Sequence, residues 1–338
     1  MTAATLNGQI DPPSTGTHGT GREASRERGI KRFKWAILSP FMALMAFILV
    51  PALVMQVFFS FFQFSIFDAG ENTGFSAYFE ASEFIGLDLF VEVFRDSRFG
   101  AAIIRSLLFA TGATLGCFVF GFGLALLMYR PFRGQAIYYI FFILPMLTVP
   151  IVIAYTGEMI LYQNGPLNDI LSRLSGLRVE AQFLYKREIA LTTIMALEIW
   201  NWTPFSFIIM MAGLAALPKE PQEAAKILGA SKWRIFWEIQ VPLLRPVIML
   251  ALILRFLEAM AEFPKTWALL QGGPGSATET IPVYIFITTW QYFDISYGAA
   301  LSYVVLVLMV GIVMTGIYFL QREKKNLDAL YMSKPQEG

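Results

Sequence analysis

The sequence predicts an all-α, polytopic membrane protein with six transmembrane helices, and three observations predict it. Hydrophobic residues make up 56% of the 338 and charged residues only 15%, against about 45–50% apolar and about a quarter charged in soluble domains. Apolar runs long enough to span a bilayer recur from Trp35 to Leu320. Lys and Arg collect at the ends of these runs that lie on one side. A net charge of +1 gives no argument for nucleic acid. Cys117 is the single cysteine, which rules out an intrachain disulfide. His18, the single histidine, sits in a polar tail, so neither a His-based triad nor a His-rich metal site can be built.

Residues 1–34 read as a disordered cytoplasmic tail, rich in Gly, Ser, Thr and Pro and ending in a cluster from Arg22 to Lys34. The six-span body follows over 35–321, and 322–338 form a second cytoplasmic tail. The first span, Trp35 to Phe62, contains Pro40 and Pro51, which membrane helices tolerate when neighbours satisfy the freed carbonyls. Residues 64–101 are mixed and acidic. Within them Leu87, Phe90, Val91 and Phe94 recur at i, i+3, i+4, i+7, the pattern of an amphipathic helix at the interface. The remaining spans are Ile103–Met128, Ile137–Leu161, Ile189–Leu214, Val247–Leu270 and Gly298–Leu320. The N-terminal cluster, Arg130 and Arg133, the loop at 215–246 and Arg322, Lys324 and Lys325 place both termini in the cytoplasm. The opposite-side loop from Gln271 to Tyr297 has no Lys or Arg, although the other outer loop carries Arg173, Arg178, Lys186 and Arg187.

The loop from Leu217 to Pro242 carries its own helix punctuation. Pro218 ends the arriving helix, and Pro221 suits a first helical position, where the missing N–H has no partner to lose. Good helix formers run from Gln222 to Leu228, and Gly229 is placed to close the helix with positive φ. Ser231 caps a second short helix with Trp233, Phe236, Trp237 and Gln240 on one face, which Pro242 and Pro246 are expected to stop. The segment EAAKILGA, with Ile239 and Pro242 after it, resembles the EAA loop of permease subunits of ABC importers. Glu223, Ala224, Ala225 and Gly229 match that pattern position by position. Leu228 departs from it, standing where the sugar branch usually has Asp, and Val241 replaces the usual Leu.

Further blocks resemble the maltose-type sugar permeases. They are GGPGSATET from Gly272, WNWTPF at Trp200–Phe205 with Gly213 and Leu214, and FIGLDLFVEVFRDSRF before the second span. The glycine-rich block lacks the lysine of a phosphate cradle, and the chain has no Walker A pattern, so an ATPase must be a separate polypeptide. The resemblance implies a bacterial inner-membrane permease that is not itself an enzyme. It pairs with a second homologous permease subunit, two ATP-binding subunits at the cytoplasmic loop and an extracytoplasmic solute-binding protein. ATP and Mg belong to the partner ATPase, and no cofactor belongs to this chain. The implied solute is a sugar, polyol or sugar derivative.

On the fifth span Arg255, Glu258, Glu262 and Lys265 fall at i, i+3, i+7 and i+10. Ionisable groups at mid-membrane cost about 3 kcal/mol or more each, so they must face a cavity or one another. Two readings stand side by side. One is a self-neutralising ladder of Arg255 with Glu258 and Glu262 with Lys265. The other follows from the resemblance, in which Arg255, Glu258, Ala259 and Glu262 contact the solute, joined by Asn201 and Thr203 with Trp200 or Trp202 as a sugar platform. Glu158 and Glu198 fall near span ends and are expected to be solvated. The alternative function is an ion-coupled secondary transporter that uses the fifth-span carboxylates.

Overall fold

The computed structural model describes residues 19–63 and 82–332, and the acidic stretch at 64–81 lies outside them. The helices are α1 (Gly19–Phe61), α2 (Asp88–Arg95), α3 (Ser97–Met128), α4 (Gln135–Leu147), α5 (Pro150–Leu161), α6 (Pro166–Ser175) and α7 (Arg187–Ala215). After them come α8 (Glu220–Ile227), α9 (Lys232–Ile235), α10 (Val241–Met260), α11 (Pro264–Leu270), α12 (Ile281–Phe286) and α13 (Ile295–Met332). A two-residue antiparallel pair, β1 (Phe62–Gln63) with β2 (Glu83–Phe84), aligns Phe62 with Phe84. The all-α expectation holds.

The chain divides into two units, Met1–Phe58 and Phe59–Gly338. In the first, α1 continues through residues 19–34, which the sequence assigned to a disordered tail. Pro40 and Pro51 lie inside it, and side chains from Phe33 to Val54 are largely exposed, as a lipid-facing helix requires. At the other end α13 runs on to Met332, into the expected C-terminal tail.

In the second unit the main packing is α3 against α7. Small residues let these helices approach closely, since apolar side chains gain no hydrophobic free energy by leaving lipid. At Gly121 a Cβ would stand 2.7 Å from the Phe207 nitrogen and 2.9 Å from the Thr203 carbonyl oxygen, so the backbones themselves are in contact.

Among the described residues, four helical segments are long and apolar enough to cross a membrane: Arg32–Phe61, Ser97–Met128, Arg187–Ala215 and Ile295–Glu323. Two of the six expected spans are not single helices. Ile137–Leu161 is α4 and α5, which meet at 96°. Pro150 explains the break, because it has no N–H for the Met146 carbonyl and holds Val149 extended, at ψ 132°. The expected Val247–Leu270 span starts earlier, at Val241, and breaks at 261–263 between α10 and α11.

The amphipathic helix before α3 forms as expected, and it also buries a second apolar face. Leu89 and Val93 are its buried residues, and Leu87, Val91 and Phe94 are exposed. The loop at 271–297 is no open loop. Thr278, Glu279 and Ile281 are buried, and Arg98 and Arg105 of α3 hold the Glu279 carboxylate at 2.7 and 3.8 Å.

Candidate functional site: a buried charge cluster and an exposed stub

Three helices bring ionisable groups to one buried point. Glu198 and Asn201 come from one face of α7, Arg255 and Glu258 from the last turns of α10, Glu262 from the break at 261–263 and Lys265 from the first turn of α11. The hub is Glu198, which is completely buried. One carboxylate oxygen accepts from Arg255 Nη2. The other lies 2.7 Å from Lys265 Nζ. Lys265 Nζ also stands 3.2 Å from Glu262 and donates to Asn201 Oδ1 at 3.1 Å. The second Glu262 oxygen accepts from the Lys265 backbone N–H at 2.8 Å, supplying an acceptor for the first turn of α11. Burial on this scale is tolerable only because acids and bases are matched, Glu198 and Glu262 against Arg255 and Lys265.

The expectation that Glu198 is solvated is therefore wrong. It lies three turns inside α7, and both fifth-span bases turn toward it. The ladder reading is half right: Lys265 pairs with Glu262, but Arg255 meets Glu258 only at 3.8 Å and is bound chiefly by Glu198. Glu158, expected to share the solvated end of its span, is half-buried on α5.

The residues suggested for solute contact separate into three groups. Arg255 is sealed, 1% exposed, with its guanidinium 5.3 Å from the Trp202 ring. Glu262, Ala259 and Asn201 are also buried, and both ends of the Asn201 amide are taken: Nδ2 donates to the Pro145 carbonyl at 2.7 Å. Thr203 turns back on its own helix, donating to the Ile199 carbonyl at 2.6 Å. With the exposed Trp200 it lines an apolar cavity of about 580 Å³ between α3, α4 and α7. Glu258 is the cluster's outlet, with 44% of its side chain exposed.

The second candidate region is the stub. Helix α8 starts with Pro221 in its first turn and ends before Gly229, whose φ is +81°. The Gly229 and Ala230 amides then donate to the Lys226 and Ala225 carbonyls. No atom lies within 4 Å of a Cβ built at Gly229, so the constraint there is the backbone angle and not space. Ser231 Oγ accepts from the Arg234 amide at 3.3 Å, the expected cap. Gln240 donates to Gln222 at 2.9 Å and ties the two short helices together. Glu223 and Ala224 are exposed and Ala225 is half-buried, while Ile227, Leu228 and Trp233 project 86%, 87% and 71% exposed.

The prolines expected to stop the second helix do not. A π-helical turn, Phe236–Gln240, joins α9 to α10 without a loop. The Val241 amide reaches back five residues to Phe236, and this wider turn relieves the clash between Pro242 and the carbonyl four residues before it. Pro246 then lies inside α10.

Outside the spans, Asp96 caps α3 by accepting from the Arg98 amide and also accepts from the Tyr284 and Tyr297 hydroxyls. Partial burial works to raise its pKa, but these bonds, Tyr284 first, outweigh burial and hold the carboxyl below its ordinary value of 3.8. Burial and the same carboxylate push Tyr284 up to about 12.

Residues 117–325 match the family model described as the binding-protein-dependent transport system inner membrane component. The chain is 31% identical over 287 residues to the sulfoquinovosyl glycerol transport system permease protein SmoG of Agrobacterium fabrum, covering 83% of this chain and 87% of that protein. It is 31% identical over 229 residues to the trehalose/maltose transport system permease protein MalF of Thermococcus litoralis, covering 68% and 77%. The fold is similar to that of a bacterial ABC transporter involved in the import of the acidic polysaccharide alginate, with TM-score 0.71 and 20% identity, covering 88% of this chain and 99% of that one. A membrane-length helical body, a projecting helix–glycine–helix stub and a family match across both lead to one assignment: the chain belongs to the inner membrane components of binding-protein-dependent transport systems.

Proposed function

We propose that this chain is a permease subunit of a binding-protein-dependent ABC importer for a sugar, polyol or sugar derivative in a bacterial inner membrane. The family match carries this reading, and the relatives named for sulfoquinovosyl glycerol and for trehalose/maltose support the solute class. The chain pairs with a second permease and encloses the solute between them. Both termini are cytoplasmic. The stub bearing Glu223, Ala224, Ala225 and Gly229 docks on one of two ATPase subunits, which hold ATP and Mg and perform the hydrolysis. Its exposed Ile227, Leu228 and Trp233 suit insertion into a groove on that subunit. A binding protein delivers solute from outside.

Glu258 is the residue of the charge cluster that meets the solute, since a carboxylate accepts hydroxyl hydrogen bonds and this one faces open volume. Arg255, Glu262, Asn201 and Lys265 hold the wall behind it. The test is uptake by cells making the whole importer, with and without an uncoupler, while ATP is maintained. Survival of uptake supports ATP drive, and collapse would instead establish the ion-coupled alternative.

A further inference from the structure

The two broken helices are fastened to each other. The break between α4 and α5 leaves the Pro145 carbonyl at a helix end, where its only backbone partner is the Thr148 amide at 3.1 Å. Asn201 Nδ2 supplies a second donor at 2.7 Å. The other end of the same amide accepts from Lys265, whose ammonium lies just beyond the break between α10 and α11 and is held there by Glu198 and Glu262. One side-chain relay, from the Pro145 carbonyl through Asn201 to Lys265, thus links the two breaks. The pieces beyond the breaks also belong together: α5 and α11 pack on each other, with Ala154 and Leu269 in one buried cluster.

We propose that Asn201 and Lys265 are positioning residues that make the two bends move as one, so that α5 and α11 reorient as a single body when the transporter changes state. The relay's members are all buried, and neither Asn201 nor Lys265 has an end left for solute. A side chain that only filled space would not need a donor at one break and an acceptor at the other. Asn201 has both. A bonded relay in a water-poor interior couples two bends with little slack.

The experiment uses the importer assembled from this chain, its partner permease and its ATPase in nanodiscs, on a Cys117→Ser background. Spin labels at Phe141 and Tyr155 report the α4–α5 bend, and labels at Leu254 and Ala268 report the α10–α11 bend. Distances are measured without nucleotide and after trapping with ATP and vanadate. The background protein should shift both distances in the same fraction of molecules. Asn201→Leu, which removes both bonds at similar volume, should keep basal ATPase activity and lose the α4–α5 shift while the α10–α11 shift persists. Asn201→Asp keeps the acceptor for Lys265 but loses the donor to Pro145, so it should show the same split and serves if the leucine variant fails to assemble. Joint shifts in both Asn201 variants would overturn the proposal, as would a background protein in which either bend stays fixed.

Discussion

The charge cluster and the stub are opposites in how their residues are held. In the cluster, Glu198, Arg255 and Lys265 have almost no contact with solvent, and the bonds of Glu198 to both bases join residues from different helices. In the stub the shape comes from neighbours in sequence, namely a proline in the first turn, a glycine at φ +81° and a serine cap, and the side chains point outward. The first region spends its chemistry on itself and the second offers it to something else. A substitution in the cluster should therefore be read out as stability, and one in the stub as assembly.

The largest effect is expected at Glu198. Glu198→Leu strips both bases of their main acid and leaves buried charge behind, which should destabilise the protein by about 3–5 kcal/mol. Thermal unfolding of the purified chain in detergent checks this. If Glu198→Leu unfolds like the parent, the cluster is not a closed ion set. Adding Arg255→Met, Lys265→Met and Glu262→Gln should recover much of the loss, because no buried charge of the set then remains. Lys265→Met combined with Glu262→Gln on the parent should cost less than Glu198→Leu, because Glu198 and Arg255 stay matched one to one.

A smaller loss is expected where α3 meets α7. Gly121→Ala forces backbone apart at Phe207 and Thr203 and should lower stability by about 1–3 kcal/mol, whereas alanine at Gly123, with nothing within 4 Å, should be neutral. Equal melting temperatures for the two variants would show that the helices can separate without penalty.

The stub sharpens the contrast from the other side. Gly229→Val meets no steric neighbour but demands a left-handed backbone of a β-branched residue, costing about 1–3 kcal/mol locally. The melting of the spans should barely change, while co-purification of the ATPase falls. Asn at the same position should restore it, since Asn tolerates this conformation. Leu228→Asp should leave stability unchanged and alter only ATPase association.

The smallest effect concerns pH. Asp96 has a folded value below 3.8, so its contribution to stability is complete above that pH and disappears as the pH falls through the lower folded value. Asp96→Asn should flatten the acid limb of the stability curve below about pH 4. An unchanged limb would mean that the two tyrosine hydroxyls do not favour the charged form.

Legibility in the sequence follows the same division. The Gly229 turn and the Ser231 cap could be read because their causes lie within a few residues. The charge cluster could be suspected from Arg255, Glu258, Glu262 and Lys265, but its hub lies 57 positions away from Arg255 along the chain, and only packing brings it near. A signal was present. Glu198 lies nine residues beyond Ile189, about 14 Å along the helix, too deep for a solvated span end. The two broken spans were missed because hydropathy averaged over a span does not register a bend at Pro150 or at 261–263. The π-turn was invisible for a related reason. Prolines at 242 and 246 signal an ending unless the chain widens just before them, and no residue type announces that widening.

That turn has a mechanical consequence. With no loop between α9 and α10, residues 232–260 form one rod of about 43 Å, with the stub at one end and the turns bearing Arg255 and Glu258 at the other. A lever this long is stiff in compression but has one compliant point, the wide turn at 236–240. Displacement applied at Gly229 would reach Glu258 as tilt and twist of a shaft, with no slack to absorb a stroke of a few ångströms. Stiffening that turn, for instance by deleting one of its residues, would rotate everything beyond it by about 100° and turn Glu258 away from the surface it now faces.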